Sequence, residues 1–384
     1  MRHKLGAIGR VLLGVLIALL LVPTVVSPFL DRIYYRGPVT PHFDGARFFN
    51  PEGEEVATGR PRRSPIAMMA RFALGDGRAT WPAHVAVAKG YPPAAATACL
   101  IRPRHMIENW ARCVAEPDRR RMFVTWIGHS TVLIQAGGVS ILTDPVWADR
   151  VGPFGLVGPR RVRDPGIAID DLPKIDLILV SHDHYDHMDV ATLARLWARD
   201  RPLIVTSLGN DTILRARGIP ALARDWGESV RLRPGVQVFV ERVHHWGSRW
   251  GSDRNRALWS GFSVTLPGGN LFFAGDTGLG DGRWPIEAAR HGPFRLAILP
   301  IGAIEPRAMM RPSHIDPADA VDVFRTLNPG HALAVHWGTF QLSNEPIDAP
   351  RLLLARSLAA AKIAPGRFRA IEVGQPWEIP EIRR

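Results

Sequence analysis

The apolar positions of this chain fall into a few distinct patterns. From Val11 to Leu30 twenty residues carry no formal charge, "VLLGVLIALLLVPTVVSPFL", after the basic start "MRHKLGAIGR". That length matches the ~20 residues a helix needs to cross a bilayer. From about residue 120 the apolar runs become short and separated by turn residues, as strands are. "MFVTWIGHSTVLIQAGGVSILTDP" reads as two strands around a Gly137-Gly138 turn, and "WSGFSVTLPGGNLFFAGDTG" as a hairpin turning at Gly268-Gly269. "KIDLILVSH", "RPLIVTS", "VQVFVERVHHW", "RLAILPIGA" and "HALAVHWGTF" read as further strands. In "DVATLARLWARD", Val190, Leu193, Leu196 and Trp197 recur at helical spacing. In "SHIDPADAVDVFRTL", Asp316 can cap a helix and Pro317 suits its first turn. Hairpins followed by alternating strands and helices predict packed sheets with helices outside.

Composition adds bounds. The 384 residues are 46% hydrophobic, enough for a sizeable core. Residues 1–30 read as a membrane anchor or a cleaved signal, 31–80 as a turn-rich linker and wrapping arm, and 81–384 as the main folded domain. Arg2, Lys4 and Arg10 before the apolar run fit the positive-inside pattern, and Pro23 is tolerable late in a span. Arg32 and Arg36 blur the asymmetry. Either reading exports the main domain, and the anchor reading places it at a bacterial inner membrane. The two cysteines, Cys99 and Cys113, are too few for a disulfide scaffold. They form one bridge or remain two buried thiols. The net charge is +12, in small arginine clusters at Arg60–Arg63, Arg119–Arg121 and Arg160–Arg163. No nucleic-acid module or basic-aromatic platform accompanies that charge.

The chemistry lies at strand ends. "SHDHYDHMD", Ser181 to Asp189, packs three histidines and three aspartates into nine residues after the apolar run "IDLILV". His182 ends one strand, His245 another, Asp276 a third and His336 a fourth. Adjacent buried strands would bring these ends together along one sheet edge. Seven groups then converge: His182, His184, Asp186, His187, His245, Asp276 and His336. Imidazoles with carboxylates suit Zn²⁺, with Mn²⁺ or Fe²⁺ chemically acceptable. One ion needs about four ligands, so seven with one shared carboxylate suit two ions. His182 and His184, two apart on extended chain, point the same way. The next turn can aim Asp186 and His187 at the second ion.

"HDHYDH" resembles the H-x-H-x-D-H motif of the metallo-β-lactamase superfamily. The longer words "TWIGHSTVLI", "LTDPVW", "GPRR", "FFAGDTG", "LPIGAIEPR", "HIDPADAV" and "AVHWGTF" resemble the N-acyl-phosphatidylethanolamine phospholipase D family, in order from about residue 40 to 375. The resemblance implies a four-layer αβ/βα sandwich. It implies that His182, His184 and His245 hold one zinc, and Asp186, His187 and His336 the other, with Asp276 bridging. His245, directly before Trp246, matches the family's ligand rather than His244. His314 matches a histidine lining the substrate site, where it can donate a proton or hydrogen bond to the leaving oxygen while Asp186 orients the attacking water. His129 reads as structural or supporting. The chain departs from the animal enzymes at Ile304, Ala308 and Met309, where they carry aromatic residues, so acyl specificity does not carry over. Ile304, Met309 and Met310 are candidate lining for acyl chains. The implied reaction cleaves N-acylated or related glycerophospholipids to phosphatidic acid and an N-acylethanolamine. A sugar-lactone hydrolase and a metal-dependent nuclease are the alternatives. Phospholipid and membrane are the expected partners, nucleic acid is not, and oligomeric state is unread.

Overall fold

A computed structural model describes residues 2–26, 30–53, 75–87 and 120–382. In chain order these form α1 (Arg2–Val26), β1 (Met122–Gly128), β2 (Thr131–Ala136), β3 (Val139–Thr143), β4 (Leu177–Val180), α2 (Val190–Asp200), β5 (Leu203–Ser207), α3 (Asn210–Arg215) and β6 (Leu222–Arg224). Then come β7 (Ser229–Arg233), β8 (Val236–Glu241), β9 (Gly261–Thr265), β10 (Asn270–Phe273), α4 (Trp284–Ala288), β11 (Phe294–Pro300), α5 (Arg307–Met310) and α6 (Pro317–Leu327). The last elements are β12 (His331–Val335), α7 (Ala349–Ala360), β13 (Phe368–Arg369) and β14 (Pro376–Glu378).

The strands make two seven-stranded mixed sheets, ordered β14-β1-β2-β3-β4-β5-β6 and β13-β12-β11-β10-β9-β8-β7. Each is an antiparallel meander that turns parallel at its helix-connected strands. The last strand crosses to the first sheet and pairs Trp377 with Val124. The stretch read as two strands is three, because the chain also reverses at Gly128–Ser130; His129 there has φ 54°.

The run "LILV" is apolar throughout because its sheet is covered on both faces. Leu177 and Leu179 join the large core that also holds Phe262, Phe272 and Leu299 of the second sheet. Ile178 and Val180 face the other way and pack with Leu193 and Leu196 of α2. Asp189 caps α2, accepting from the backbone N–H of Ala191 and Thr192. Asp316 caps α6 in a capping box with Asp319, and Phe324 of that helix enters the large core.

The arm is tied to the domain. Phe43 and Phe48 are buried in the large core. The Tyr34 hydroxyl donates to Asp253 at 2.9 Å, and Trp81 Nε1 donates to the Glu345 carbonyl at 2.8 Å. The expected membrane span is not supported: among the described residues no helix is long and apolar enough to cross a membrane. Cys99, Cys113 and the Arg60–Arg63 cluster lie outside the described residues.

Candidate metal centre

The strand ends do converge, but not along one sheet edge. His182 follows β4 of the first sheet, while Asp276 and His336 follow β10 and β12 of the second. The centre therefore sits where the edges of two facing sheets meet. His245 is delivered by the loop after β8, which ends at Glu241.

Three ring nitrogens meet on one side. His182 Nε2 lies 2.8 Å from His184 Nδ1, and His245 Nε2 lies 3.4 Å from the same atom. On the other side His187 Nε2 is 3.5 Å from Asp186 Oδ2, and His336 Nε2 is 3.7 Å from it. Asp276 stands against this second group, its Oδ2 3.1 Å from His187 Nε2 and 2.9 Å from His336 Nε2. His314 Nδ1 is 3.8 Å from that same oxygen.

The surrounding hydrogen bonds settle which nitrogens carry lone pairs. The Ser181 hydroxyl has one proton and donates it to Asp144 at 2.6 Å. Its contact with His182 Nδ1 at 2.9 Å is then N–H donation from the ring, which leaves Nε2 aprotic. His245 Nδ1 donates to the Ser313 carbonyl at 2.9 Å, and His187 Nδ1 to Asp144 at 2.7 Å. Each ring turns its Nε2 into the centre. Such partners on the outward nitrogen are what hold a metal-ligating histidine in its tautomer.

Electrostatics divides the two groups. Burial pushes His182 and His245 well below the usual histidine range, and His184 down to about 4. All three are neutral, the form that ligates. Burial likewise lowers His314 and His129 to about 3. Around the carboxylates the sign reverses. Burial opposes a charge on His187 and His336, yet Asp276 and its neighbours outweigh it, holding His187 high and His336 at about 9. Burial also raises Asp186 and Asp276, but the adjacent histidines win and keep both carboxyls well below their usual range. This half of the centre is built to hold positive charge.

The residues fit divalent ions on an independent count. Asp276 Oδ1, His187 Nε2 and His336 Nε2 are buried with no hydrogen-bond partner among the described residues. Orphaned polar atoms of that kind are costly unless something polar fills the space between them. Ligand atoms of His182, His184 and His245 lie within 4.8 Å of one another, as do those of Asp186, His187, His336 and His129.

Of the supporting residues, Asp144, Glu52 and Asn50 escaped the sequence reading, while His129 takes the supporting place expected of it. Asp144 bonds His187, the Ser181 hydroxyl and the Ser181 N–H at 2.7 Å. It directly follows β3, so the strand-end rule that found Asp276 would have found it too. The His129 ring reaches Asp186 Oδ2 at 2.9 Å, a support role for which its position in the β1–β2 turn is responsible. His244 and His245 point opposite ways. His244 Nδ1 meets Glu52 of the arm at 2.6 Å, and Asn50 donates to the His245 carbonyl at 2.9 Å. Two positive-φ residues frame the centre, Asp144 at 32° and His336 at 62°; such strain persists where the surroundings enforce it. Of the expected acyl lining, Ile304 is buried, with its N–H on Glu345. Met309 and Met310 are half-buried on α5, whose Met310 carbonyl accepts the His314 N–H.

Comparison with known proteins agrees with this geometry. The beta-lactamase superfamily domain matches residues 140–337. An N-acyl-phosphatidylethanolamine-hydrolyzing phospholipase D 1 of Caenorhabditis elegans is 36% identical over 273 residues, covering 67% of this chain and 76% of that protein. A mitochondrial N-acyl-phosphatidylethanolamine-hydrolyzing phospholipase D of Saccharomyces cerevisiae is 33% identical over 242 residues; the chain spans about half of its length, 52%. The solved structure of a metallo hydrolase from Ignicoccus hospitalis superposes with a TM-score of 0.51 at 21% identity, over 68% of this chain and 99% of that one. That last likeness is one of fold alone. With two mixed sheets, buried His/Asp clusters at their facing edges and these matches, the chain belongs to the metallo-β-lactamase superfamily of metal-dependent hydrolases, in its N-acyl-phosphatidylethanolamine phospholipase D-like branch.

Proposed function

We propose that the protein is a dinuclear phosphodiesterase that cleaves N-acylated or related glycerophospholipids at a lipid surface. The observation that carries it is a cluster of His182, His184 and His245 beside a second of Asp186, His187 and His336, the His182 and His187 rings 4.2 Å apart, in a chain 36% identical to a phospholipase D of that substrate class. His182, His184 and His245 would hold one ion, and Asp186, His187 and His336 the other, with Asp276 between them. The donors suit Zn²⁺, and also Mn²⁺ or Fe²⁺. Ions so held supply an acidified water at neutral pH and positive charge for phosphoryl oxygens.

The chain's own residues do the rest. Asp186, held by His129, orients the water's proton. Ser181, Asp144 and the Ser313 carbonyl keep three histidine rings in register. His314, neutral in its buried setting, can offer one N–H to the leaving oxygen. Met309 and Met310, with Ile304 behind them, border the route for acyl chains. The exposed apolar side chains of α1, among them Leu12, Leu13, Leu16 and Leu19, attach the enzyme to the lipid surface, with the catalytic domain on the exported side.

The test offers the metal-loaded enzyme N-acyl-phosphatidylethanolamine in mixed micelles, beside a sugar-phosphate lactone and single-stranded RNA. Release of phosphatidic acid, abolished by His336→Ala, supports the proposal. Rapid turnover of the lactone or the RNA without lipid cleavage overturns it.

A further inference from the structure

Between Asp149 and Arg161 the chain leaves the domain and returns as a closed finger. Its neck is a bridge between Arg150 and Arg160, a bond from the Val151 N–H to the Pro159 carbonyl at 3.1 Å, and a close approach of two glycines. A Cβ on Gly152 would sit 2.3 Å from the Val157 carbonyl oxygen, and one on Gly158 2.2 Å from that of Val151. The tip is a single 3-10 turn over Pro153–Gly155. This ordered tip presents Phe154, Leu156 and Val157 to solvent at 57%, 78% and 57% exposure. A closed loop that holds three large apolar side chains side by side in water is the kind of surface that marks an interaction site.

We propose that this finger is a second lipid-docking element, separate from α1, that seats the mouth of the metal centre on an anionic membrane. Three observations choose a lipid surface as the occupant. First, the apolar tip has a basic collar, with Arg150 and Arg160 at its neck, the pattern of a segment that inserts apolar atoms while arginines meet phosphate headgroups. Second, Phe154 packs edge-on against Trp250 at 5.4 Å, and the Arg32 guanidinium lies over the Trp250 ring at 4.6 Å. Indole and arginine side by side suit the headgroup layer. Third, the Leu30 carbonyl accepts a bond from Ser252 at 2.7 Å, so the segment leading from the exposed apolar residues of α1 joins the domain on the same loop as Trp250.

The finger also reaches the centre. Val151 at its neck packs in one small cluster with Phe340 and Tyr185. Tyr185 lies inside the H-x-H-x-D-H motif, and Phe340 stands edge-on to His129 at 5.2 Å. Arg249, beside Trp250, donates to the carbonyls of Asp183 and Met188, both at 2.9 Å. A membrane that holds the tip therefore lies on the side of the domain from which the loop carrying the metal motif is reached.

The proposal rests on the lipid-surface reading above, and its test does not require turnover. In the full-length chain with Cys99 and Cys113 replaced by serine, an environment-sensitive fluorophore is placed on Leu156→Cys, Leu16→Cys or Leu352→Cys. Each protein is mixed with phosphatidylglycerol vesicles whose acyl chains are brominated. Quenching at positions 156 and 16 but not at 352 is the expected result. Quenching at 16 alone overturns the finger and leaves α1 attachment standing; no quenching at either overturns both. Protection of position 156 on concentrating the protein without vesicles would assign the finger to a second copy and overturn the lipid proposal. Leu156→Ser with Val157→Ser should lower turnover of vesicle substrate about tenfold and leave a monomeric short-chain phosphodiester unaffected. An equal loss on both substrates overturns docking as the cause.

Discussion

At the scale of single residues, the centre depends on groups that touch no reacting atom. Asp144 is the sharpest example. It is fully buried, it accepts from His187 and from Ser181, and Ser181 in turn fixes the tautomer of His182. One carboxylate thus orients a histidine in each half of the centre. Burial raises the Asp144 carboxyl above its usual range, against the pull of His187 and the bonds from Ser181. Asp144→Asn keeps the shape but can no longer accept at both positions: its NH2 must face either the Ser181 N–H or the two donors on the other oxygen, the Ser181 hydroxyl and His187 Nδ1. The expected loss is about 10- to 100-fold in metal affinity, read by competition with a chromogenic chelator, with far-UV circular dichroism unchanged. His129→Ala should cost less, because its ring makes a single hydrogen bond, to Asp186. Equal metal affinity in the Asp144→Asn protein would remove Asp144 from its supporting role.

At the scale of elements, the turn after each strand decides where its ligand points. His336 leaves β12 in the left-handed region and its carbonyl crowds the chain after β11. A Cβ at Gly302 would lie 2.0 Å from the His336 carbonyl oxygen, too close for any side chain without a backbone shift. Gly302→Ala should therefore lower both the melting temperature and the bound metal, measured by calorimetry and elemental analysis on one preparation. Asp316→Ala makes the useful contrast. It removes the cap of α6, where Asp316 accepts from Ala318 at 2.8 Å and Asp319 at 2.9 Å. The expected loss is about 1 kcal/mol of stability with full metal content, since no candidate ligand rests on that cap. If both variants kept their metal, the tight packing of Gly302 on His336 would not matter to the centre.

At the scale of the whole molecule, the metal centre lies between loops of the two sheets. His182, His184, Asp186 and His187 come from the loop after β4; His245, Asp276 and His336 come from the second sheet. Ions held between them would clamp one half to the other. Removing metal by dialysis against chelator should lower the melting temperature, and restoring it should reverse the change. A ligand a thousandfold above its dissociation constant stabilises by about 4 kcal/mol. A melting curve indifferent to chelator and to added Zn²⁺ or Mn²⁺ would contradict a clamp of this kind. The arm adds a second tie: Glu52 reaches both His244 and Arg242, the latter at 3.2 Å, so the segment before the domain braces the loop that carries His245.

Most of the strands, the hairpin turns at Gly137-Gly138 and Gly268-Gly269, and the cap at Asp316 were legible in the sequence. They depend on local chemistry: turn residues with positive φ, side chains that accept from their own helix, and apolar runs of strand length. The two-faced burial of "LILV" was legible for the same reason. What the sequence could not settle is which strand ends would meet, because that is decided by pairing between distant segments. Read along the chain, four ligand-bearing ends suggested one sheet edge; the packing of two sheets put them on two. The same limit hid the reversal at His129, which carries no glycine–glycine mark, and the support given by Asp144, whose meaning appears only beside His187. It also left His244 and His245 indistinguishable except by resemblance. Adjacent residues face opposite ways on extended chain, and only the tertiary fold decides that Glu52 waits on one side and His184 on the other.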